Sequence, residues 1–251
     1  MHDNLIQKSI IIIGGTKGIG KFISRKFLDH GFLVISGSRK QMNPFKDKNF
    51  FSFKLDVTSE KQFNTFFNNA KKISNKPLTL INNVGLSEWK PIEKVNSEFL
   101  DLMFHTNIYS YFHSIKYSLK IFNTINSIVN ISSIAGKRGS QNNSVYSATK
   151  FAINGLTQSL AKELGKKNIR VNSICPVLID TPGLRKAMKK KYSPGFKDYK
   201  NFLKSFTENQ VALKNLPTAE DVADLCYFLS TLKSKSITGQ NINLDSGVFP
   251  Q

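Results

Sequence analysis

Apolar residues follow one another along this chain in two rhythms. Ser9 to Ile13, Leu78 to Ile81, Ser127 to Ile131 and Ile169 to Ile174 are short, largely apolar runs without regular alternation. Such runs predict strands buried on both faces of a parallel sheet. Phe32 to Ser36, the alternating Phe51-Ser52-Phe53-Lys54-Leu55 and the short Ile242-Asn243-Leu244 predict three more. Between them the spacing changes to three and four residues. Ile19, Phe22, Ile23 and Phe27 predict one helix, Phe99 to Phe122 a long apolar-rich one, and Ser144 to Gly165 another, with Val145, Ala148, Ala152, Leu156, Leu160 and Leu164 recurring on it. Asp56-Val57-Thr58 closes the third strand and caps a helix, and Thr218-Ala219-Glu220-Asp221 opens one more. Strands alternating with helices imply right-handed crossovers and a sheet covered on both faces. The predicted fold is α/β, a doubly wound parallel sheet of about seven strands in a Rossmann arrangement. No internal repeat and no proline- or serine-rich linker divides the chain, so residues 1–251 are read as one domain.

The candidate chemistry lies where these elements meet. The first strand runs into Gly14-Gly15-Thr16-Lys17-Gly18-Ile19-Gly20, glycines spaced G-x-x-x-G-x-G before a helix. Without side chains the turn is tight, and backbone N–H groups and the helix N-terminus can approach a pyrophosphate. The second strand ends in Gly37-Ser38-Arg39-Lys40, where such a fold meets an adenosine ribose. A carboxylate there would bind the ribose hydroxyls and repel a 2′-phosphate, whereas arginine pairs with that phosphate. Arg39, Lys17 and the hydroxyl of Thr16 therefore favour NADP over NAD. Asp56 accommodates two roles, accepting from an adenine amine or orienting its own turn. Asn82-Asn83-Val84-Gly85 suits a strand-end turn beside a ligand. Asn107, inside a predicted helix, either faces solvent or holds a water in a kinked turn. Ser132-Ser133 follow the fifth strand at the end where open α/β sheets bind ligands.

Tyr146 and Lys150 are four apart on a predicted helix and share a face. A tyrosine hydroxyl titrates near about 10 in water, and an adjacent cation is expected to lower that value and make a usable general acid/base. Taken alone, the pair also reads as an ordinary surface pair.

Composition changes the picture in one respect. The formal charge is +19, which suits nucleic acid, an anionic membrane or an acidic partner; a coding bias toward Lys, Asn, Ile and Phe yields it equally. The cations gather in Leu184 to Lys204, an irregular-looking stretch with Pro194-Gly195 at its middle. It reads either as a solvated excursion or as a lid whose cations meet an anionic substrate, and 184–214 is taken as a lid over the substrate. Cys175 and Cys226 form no CxxC, and His2, His30, His105 and His113 lack zinc-ligand spacing, so neither a disulfide framework nor a metal site is expected. Ile10 to Ile13 and the other apolar runs are far short of a membrane span, and Met1-His2-Asp3-Asn4 lacks the order of a signal peptide. The expected location is cytoplasmic.

In combination, Gly14 to Gly20, Asp56, Asn82-Asn83-Val84-Gly85, Asn107, Ser133, Tyr146, Lys150 and Thr181 make the chain resemble the short-chain dehydrogenase/reductase family over essentially its whole length. It looks most like the 3-oxoacyl-carrier-protein reductase branch, a look shared by sugar, polyol and steroid ketone reductases. The resemblance implies a catalytic tetrad of Asn107, Ser133, Tyr146 and Lys150. It implies cofactor contacts from Gly14, Thr16, Lys17, Gly18, Ile19 and Gly20 in the loop, and from Ser38, Arg39, Asp56 and Val57 at the adenosine end. Asn83, Val84 and Gly85 would lie along the cofactor, with Tyr146 and Lys150 at the ribose and Ile179 and Thr181 at the nicotinamide. Val84 stands where the family usually has alanine, and Val177 where it commonly has glycine. The implied activity is NADPH-dependent reduction of a ketone to a secondary alcohol by a homotetramer or homodimer, the ketone being a 3-oxoacyl thioester or similar carbonyl or, alternatively, a sugar or nucleotide-sugar ketone. A rival reading, an NADP-responsive protein that holds nucleic acid, would have no need of the four catalytic side chains. Neither nucleic acid nor membrane is an expected partner.

Overall fold

Ile10 to Ile13 form the centre of strand β1 (Ser9–Ile13), and successive side chains go to opposite faces of the sheet. Ile11 and Ile13 join one core layer, Ile10 and Ile12 the other. All four are essentially shielded from water, and each contributes about 1.5–3 kcal/mol by that burial. A computed structural model of the chain describes residues 8–250. The Met1-His2-Asp3-Asn4 start lies outside the described residues.

The chain continues through α1 (Gly18–Asp29), β2 (Leu33–Ser38), β3 (Phe50–Lys54), α2 (Glu60–Ile73) and β4 (Pro77–Asn82). There follow α3 (Ser97–Phe104), α4 (Ser110–Ile121), β5 (Ser127–Ile131), α5 (Ser144–Gly165) and β6 (Arg170–Pro176). The remainder is α6 (Pro182–Met188), α7 (Tyr199–Gln210), α8 (Ala219–Ser230) and β7 (Asn241–Leu244). The strands pair in the order β3-β2-β1-β4-β5-β6-β7, every pair parallel. The order reverses between β1 and β4, opening a crevice at their carboxyl ends. One core layer packs α2, α4 and α5 on the sheet through Phe63, Phe66, Phe67, Ile115, Ile153 and Leu156. The other packs α1 and α8 through Ile23, Phe27, Val222, Cys226 and Leu229.

β1, β5 and α5 have the bounds their sequence pattern predicts. The other strands differ by one or two residues at one or both ends: the ladder outlasts the apolar run at Ser38, Asn82 and Pro176 and leaves out Phe32, Leu55 and Ile169. Four readings change. Phe22 is 38% exposed and does not belong to the buried face of α1. Asp56-Val57-Thr58 makes a turn, and the N-cap of α2 is Ser59. Phe99 to Phe122 is not one regular helix, because a π-turn over His105–Tyr109 separates α3 from α4. Leu184 to Lys204 is not irregular throughout; it carries α6 and the start of α7, each N-capped by a side chain, Thr181 and Asp198.

Candidate active site

The glycine loop leaves β1 with its first residue at φ +91°, and its shape is set by hydrogen bonds from three directions. Gly14 N–H donates to the Gly37 carbonyl at 2.7 Å, and Gly15 N–H to the Ser36 hydroxyl at 2.9 Å. Ser24 on α1 donates to the Gly15 carbonyl at 2.8 Å, and Asn83 Nδ2 to the Gly14 carbonyl at 2.9 Å. A Cβ on Gly20 would stand 1.9 Å from the Gly14 carbonyl oxygen, so loop and helix approach as closely as backbones can.

The N-terminus of α1 has no side-chain cap and no acidic residue in its first turn. Its first N–H groups lack intrahelical partners, and a Cβ on Gly18, at φ +51°, would meet open space. Free N–H donors, the positive end of the helix dipole and room above them fit a pyrophosphate. Lys17 is exposed beside this turn, whereas Thr16 is buried. At the end of β2, Arg39 is exposed and lines the cleft, while the Ser38 hydroxyl donates to the Lys40 carbonyl at 2.8 Å. Asp56 is engaged by Thr58, whose N–H and hydroxyl reach its Oδ1 at 3.0 and 2.8 Å. These bonds, with Arg39 and Lys54 nearby, hold its carboxyl below the usual range. Val57 is a core side chain, and Val84 packs partly against the same layer.

A cleft of about 830 Å³ opens above the carboxyl ends of the strands. Ile19, Arg39, Asn83, Gly85, Ile179 and Thr181 line it along one stretch, and Ser133, Tyr146 and Lys150 meet in its middle. α5 brings Tyr146 and Lys150 there because buried polar bonds fix it on the sheet: Asn130 Nδ2 donates to Thr157 at 3.0 Å, and Asn154 Nδ2 to the Gly136 carbonyl at 2.9 Å. Ser133, at the end of β5, accepts from Ala135 N–H at 3.1 Å and donates to the Pro176 carbonyl at 3.4 Å. Lys150 is 3% exposed, its Nζ donating to the Ile131 carbonyl at 2.9 Å and lying 5.7 Å from the Tyr146 ring centre.

Asn107 sits behind this group rather than in the cleft, fully buried in the π-turn. Its Oδ1 accepts from Leu86 N–H at 2.7 Å, and its Nδ2 donates to the Leu86 carbonyl at 2.9 Å and to Thr149 at 3.1 Å. Solvent exposure does not describe it, whereas the helix is distorted where it sits. The widened turn admits the side chain between α5 and the loop carrying Gly85 and Leu86.

The electrostatics correct one expectation. Burial pushes the Tyr146 hydroxyl up to about 12, the nearby Ser133 hydroxyl opposing it, and pushes the Lys150 ammonium down to about 8. Desolvation outweighs the stabilisation that the Ser133 hydroxyl gives the phenolate.

In the far part of the cleft, residues of the 184–214 stretch meet Trp89, which no sequence motif pointed to. Trp89, in the loop after β4, packs with Ala187 and Met188 of α6, and Leu184 and Phe202 border the same cluster. Trp89 is the chain's single tryptophan, and that rarity was the available signal. Asp180 ties this region to β6: Arg185 grips it through two bonds of 2.8 Å, and the Tyr199 hydroxyl donates to it at 2.7 Å. Lys190 pairs with Glu88 across the cleft mouth, and Lys94 Nζ donates to the Tyr192 hydroxyl at 2.8 Å. Arg39, Arg138, Lys150, Lys186 and Lys190 line the cleft, and no Asp or Glu among the described residues does.

Residues 14–249 match the family described as enoyl-(acyl carrier protein) reductase. The chain belongs to the short-chain dehydrogenase/reductase family. It is an NAD(P)-dependent oxidoreductase. It is 30% identical to L-2,3-butanediol dehydrogenase of Corynebacterium glutamicum, over 97% of this chain and 99% of that one. It is 31% identical to a 3-oxoacyl-[acyl-carrier-protein] reductase of Chlamydia muridarum, over 99% of this chain and all of its relative. The solved structure of ElxO with NADP bound superposes with a TM-score of 0.86 at 31% identity, over 98% of this chain and 100% of that one. Among the described residues no helix is long and apolar enough to cross a membrane, and no cluster of His, Cys, Asp or Glu could hold a metal ion.

Proposed function

We propose that this reductase uses NADPH to convert a ketone to a secondary alcohol, the ketone being a 3-oxoacyl thioester or a carbonyl of similar shape. The observation that carries the reading is the convergence of Ser133, Tyr146 and Lys150 in one cleft that begins at an uncapped, glycine-opened helix N-terminus. When bound, the cofactor supplies the hydride. The protein's part is proton handling and orientation.

Tyr146, a neutral phenol at physiological pH, keeps its proton until negative charge develops on the carbonyl oxygen, then gives it up as general acid. Ser133 donates to the same oxygen, a preorganised hydrogen bond that strengthens as charge grows. Lys150, anchored to Ile131, stands beside the phenol and stabilises the phenolate left behind. Asn107 is a positioning residue that fixes the Leu86 backbone and Thr149 next to it.

The substrate's apolar part is held by Trp89, Leu184, Met188 and Phe202, and an anionic part by the cations at the mouth, with 184–214 acting as a lid. ElxO has NADP bound at 31% identity, and Arg39 supports the same cofactor here. Arg39→Ala is expected to lower kcat/KM with NADPH by about 10- to 100-fold, the worth of a charge-assisted bond to phosphate, and to leave NADH nearly unaffected. Steady-state kinetics with both cofactors measure it. A sugar or nucleotide-linked ketone is the second reading, favoured by Ser140, Gln141 and Asn143 along the cleft.

The deciding experiment follows loss of NADPH absorbance with acyl-thioester and sugar ketones, NADH in parallel and Tyr146→Phe as the blank. Turnover of a thioester ketone with NADPH supports the proposal. Turnover of sugar ketones alone selects the second reading, and NADPH oxidation undiminished in the blank overturns both.

We also propose a homotetramer or homodimer. Leu102, Tyr109 and Phe112 on the α3–α4 segment are 48%, 43% and 52% exposed, and Phe151 on α5 is 48% exposed, an apolar set that a second copy would cover. Light scattering should return a mass of two or four chains; a monomer at micromolar concentration would refute it.

A further inference from the structure

Tyr111 lies one turn beyond Asn107, on α4, and is 1% exposed. A tyrosine so buried needs a partner for its hydroxyl, and this one reaches two main-chain acceptors, the Ile131 carbonyl at 2.9 Å and the Val84 carbonyl at 3.2 Å. The first is also the acceptor of the Lys150 ammonium, at the same 2.9 Å. The second precedes Gly85, where an added Cβ would stand 3.5 Å from Lys150 Nζ. Lys150 Nζ lies 5.7 Å from the Tyr146 ring and 5.9 Å from the Tyr111 ring, so the ammonium sits between two tyrosines.

We propose that Tyr111 is a positioning residue that sets how firmly Lys150 holds its proton, by competing with the ammonium for the Ile131 carbonyl, to which its hydroxyl, with a single hydrogen to donate, lies nearer than to the Val84 carbonyl. A carbonyl oxygen has two lone pairs; when a phenol takes one, less electron density remains for the ammonium. The ammonium form is thereby less stabilised than an unshared carbonyl would make it, and Lys150 releases its proton at lower pH. Among the described residues, the titratable groups facing Lys150 are Tyr146 on α5, Tyr111 on α4 and the Cys175 thiol on β6. Tyr111 itself stays protonated, burial holding it far above the ordinary phenol range. It therefore acts as a fixed donor and not as a second acid. The consequence for turnover rests on the role given to Lys150 under Proposed function.

The test is Tyr111→Phe, which keeps the ring and removes the hydroxyl. In protein labelled at the lysine side chains, with the Lys150 signal assigned by its loss in Lys150→Arg, the NMR titration midpoint of Lys150 is expected to rise by about 0.5–1 pH unit, the worth of one hydrogen bond. The high-pH fall in kcat is expected to move upward by the same amount. Should Tyr111→Phe not be recovered folded, Tyr111→Leu also lacks the hydroxyl and carries the same expectation. A midpoint that stays in place or falls in a folded variant overturns the proposal. A midpoint that rises while the kcat profile stays fixed supports it and removes Lys150 from the proposed catalytic role.

Discussion

Tyr146→Phe is expected to lower kcat by about 10²- to 10⁴-fold, the range a positioned general acid supplies, while NADPH affinity, read by quenching of intrinsic fluorescence, changes little. The phenol is half-buried in the cleft with Ser133 beside it, and burial pushes its hydroxyl up to about 12. At neutral pH it is therefore a neutral phenol that keeps its proton from bulk water and gives it only to a stronger base, such as the developing alkoxide. Phenylalanine fills the same space on α5 and leaves Lys150 anchored to Ile131. Folding should thus be preserved, which circular dichroism checks. Retained turnover would mean that the proton comes from elsewhere, and the proposed chemistry would fail.

Gly20→Ala is expected to abolish cofactor binding and to destabilise the fold. The added Cβ would stand 1.9 Å from the Gly14 carbonyl oxygen and 2.5 Å from Asn83 Nδ2, which are themselves hydrogen-bonded. Neither is the free end of a flexible side chain, so the first turn of α1 must move away from the loop it completes. Overpacking of this kind costs about 1–3 kcal/mol, and each kcal/mol lowers the melting temperature by about 2–4 °C in a chain of this size. Gly155→Ala is the control. It lies within α5 with nothing within 4 Å of an added Cβ, and alanine there should be neutral or stabilising by up to about 1 kcal/mol. Calorimetry and NADPH titration of the two variants separate a backbone requirement from a general loss of glycine flexibility. Equal behaviour of the two would show that the close approach at Gly20 carries no weight.

The arrangement of the elements could be read from the residues because burial on two faces, one face or none leaves different periods in a chain. Ile10 to Ile13 needed no partner to be recognised as an inner strand, and Tyr146 and Lys150 needed only 3.6 residues per turn to share a face. The same local logic identified the glycine loop, since only residues without Cβ pass so near another backbone.

What the tertiary structure alone decided concerns groups whose behaviour depends on what packs around them. No pattern within α5 could reveal that Tyr146 would be pushed up and Lys150 down, because the desolvation comes from the layers that close over both. Asn107, inside a predicted helix, left facing solvent and sitting in a kinked turn both open; its amide is engaged by Leu86 and Thr149, distant in sequence. The cation-rich Leu184 to Lys204 stretch looked irregular until Asp180, Glu88 and Trp89 supplied partners that order it. Tyr111 lies unmarked inside the apolar-rich Phe99 to Phe122 run, and its place beside Lys150 emerged only when α4, α5 and the end of β5 met around one carbonyl oxygen. Proton affinity and pairing are properties of the surroundings, and the surroundings of a buried group are assembled from remote parts of the chain.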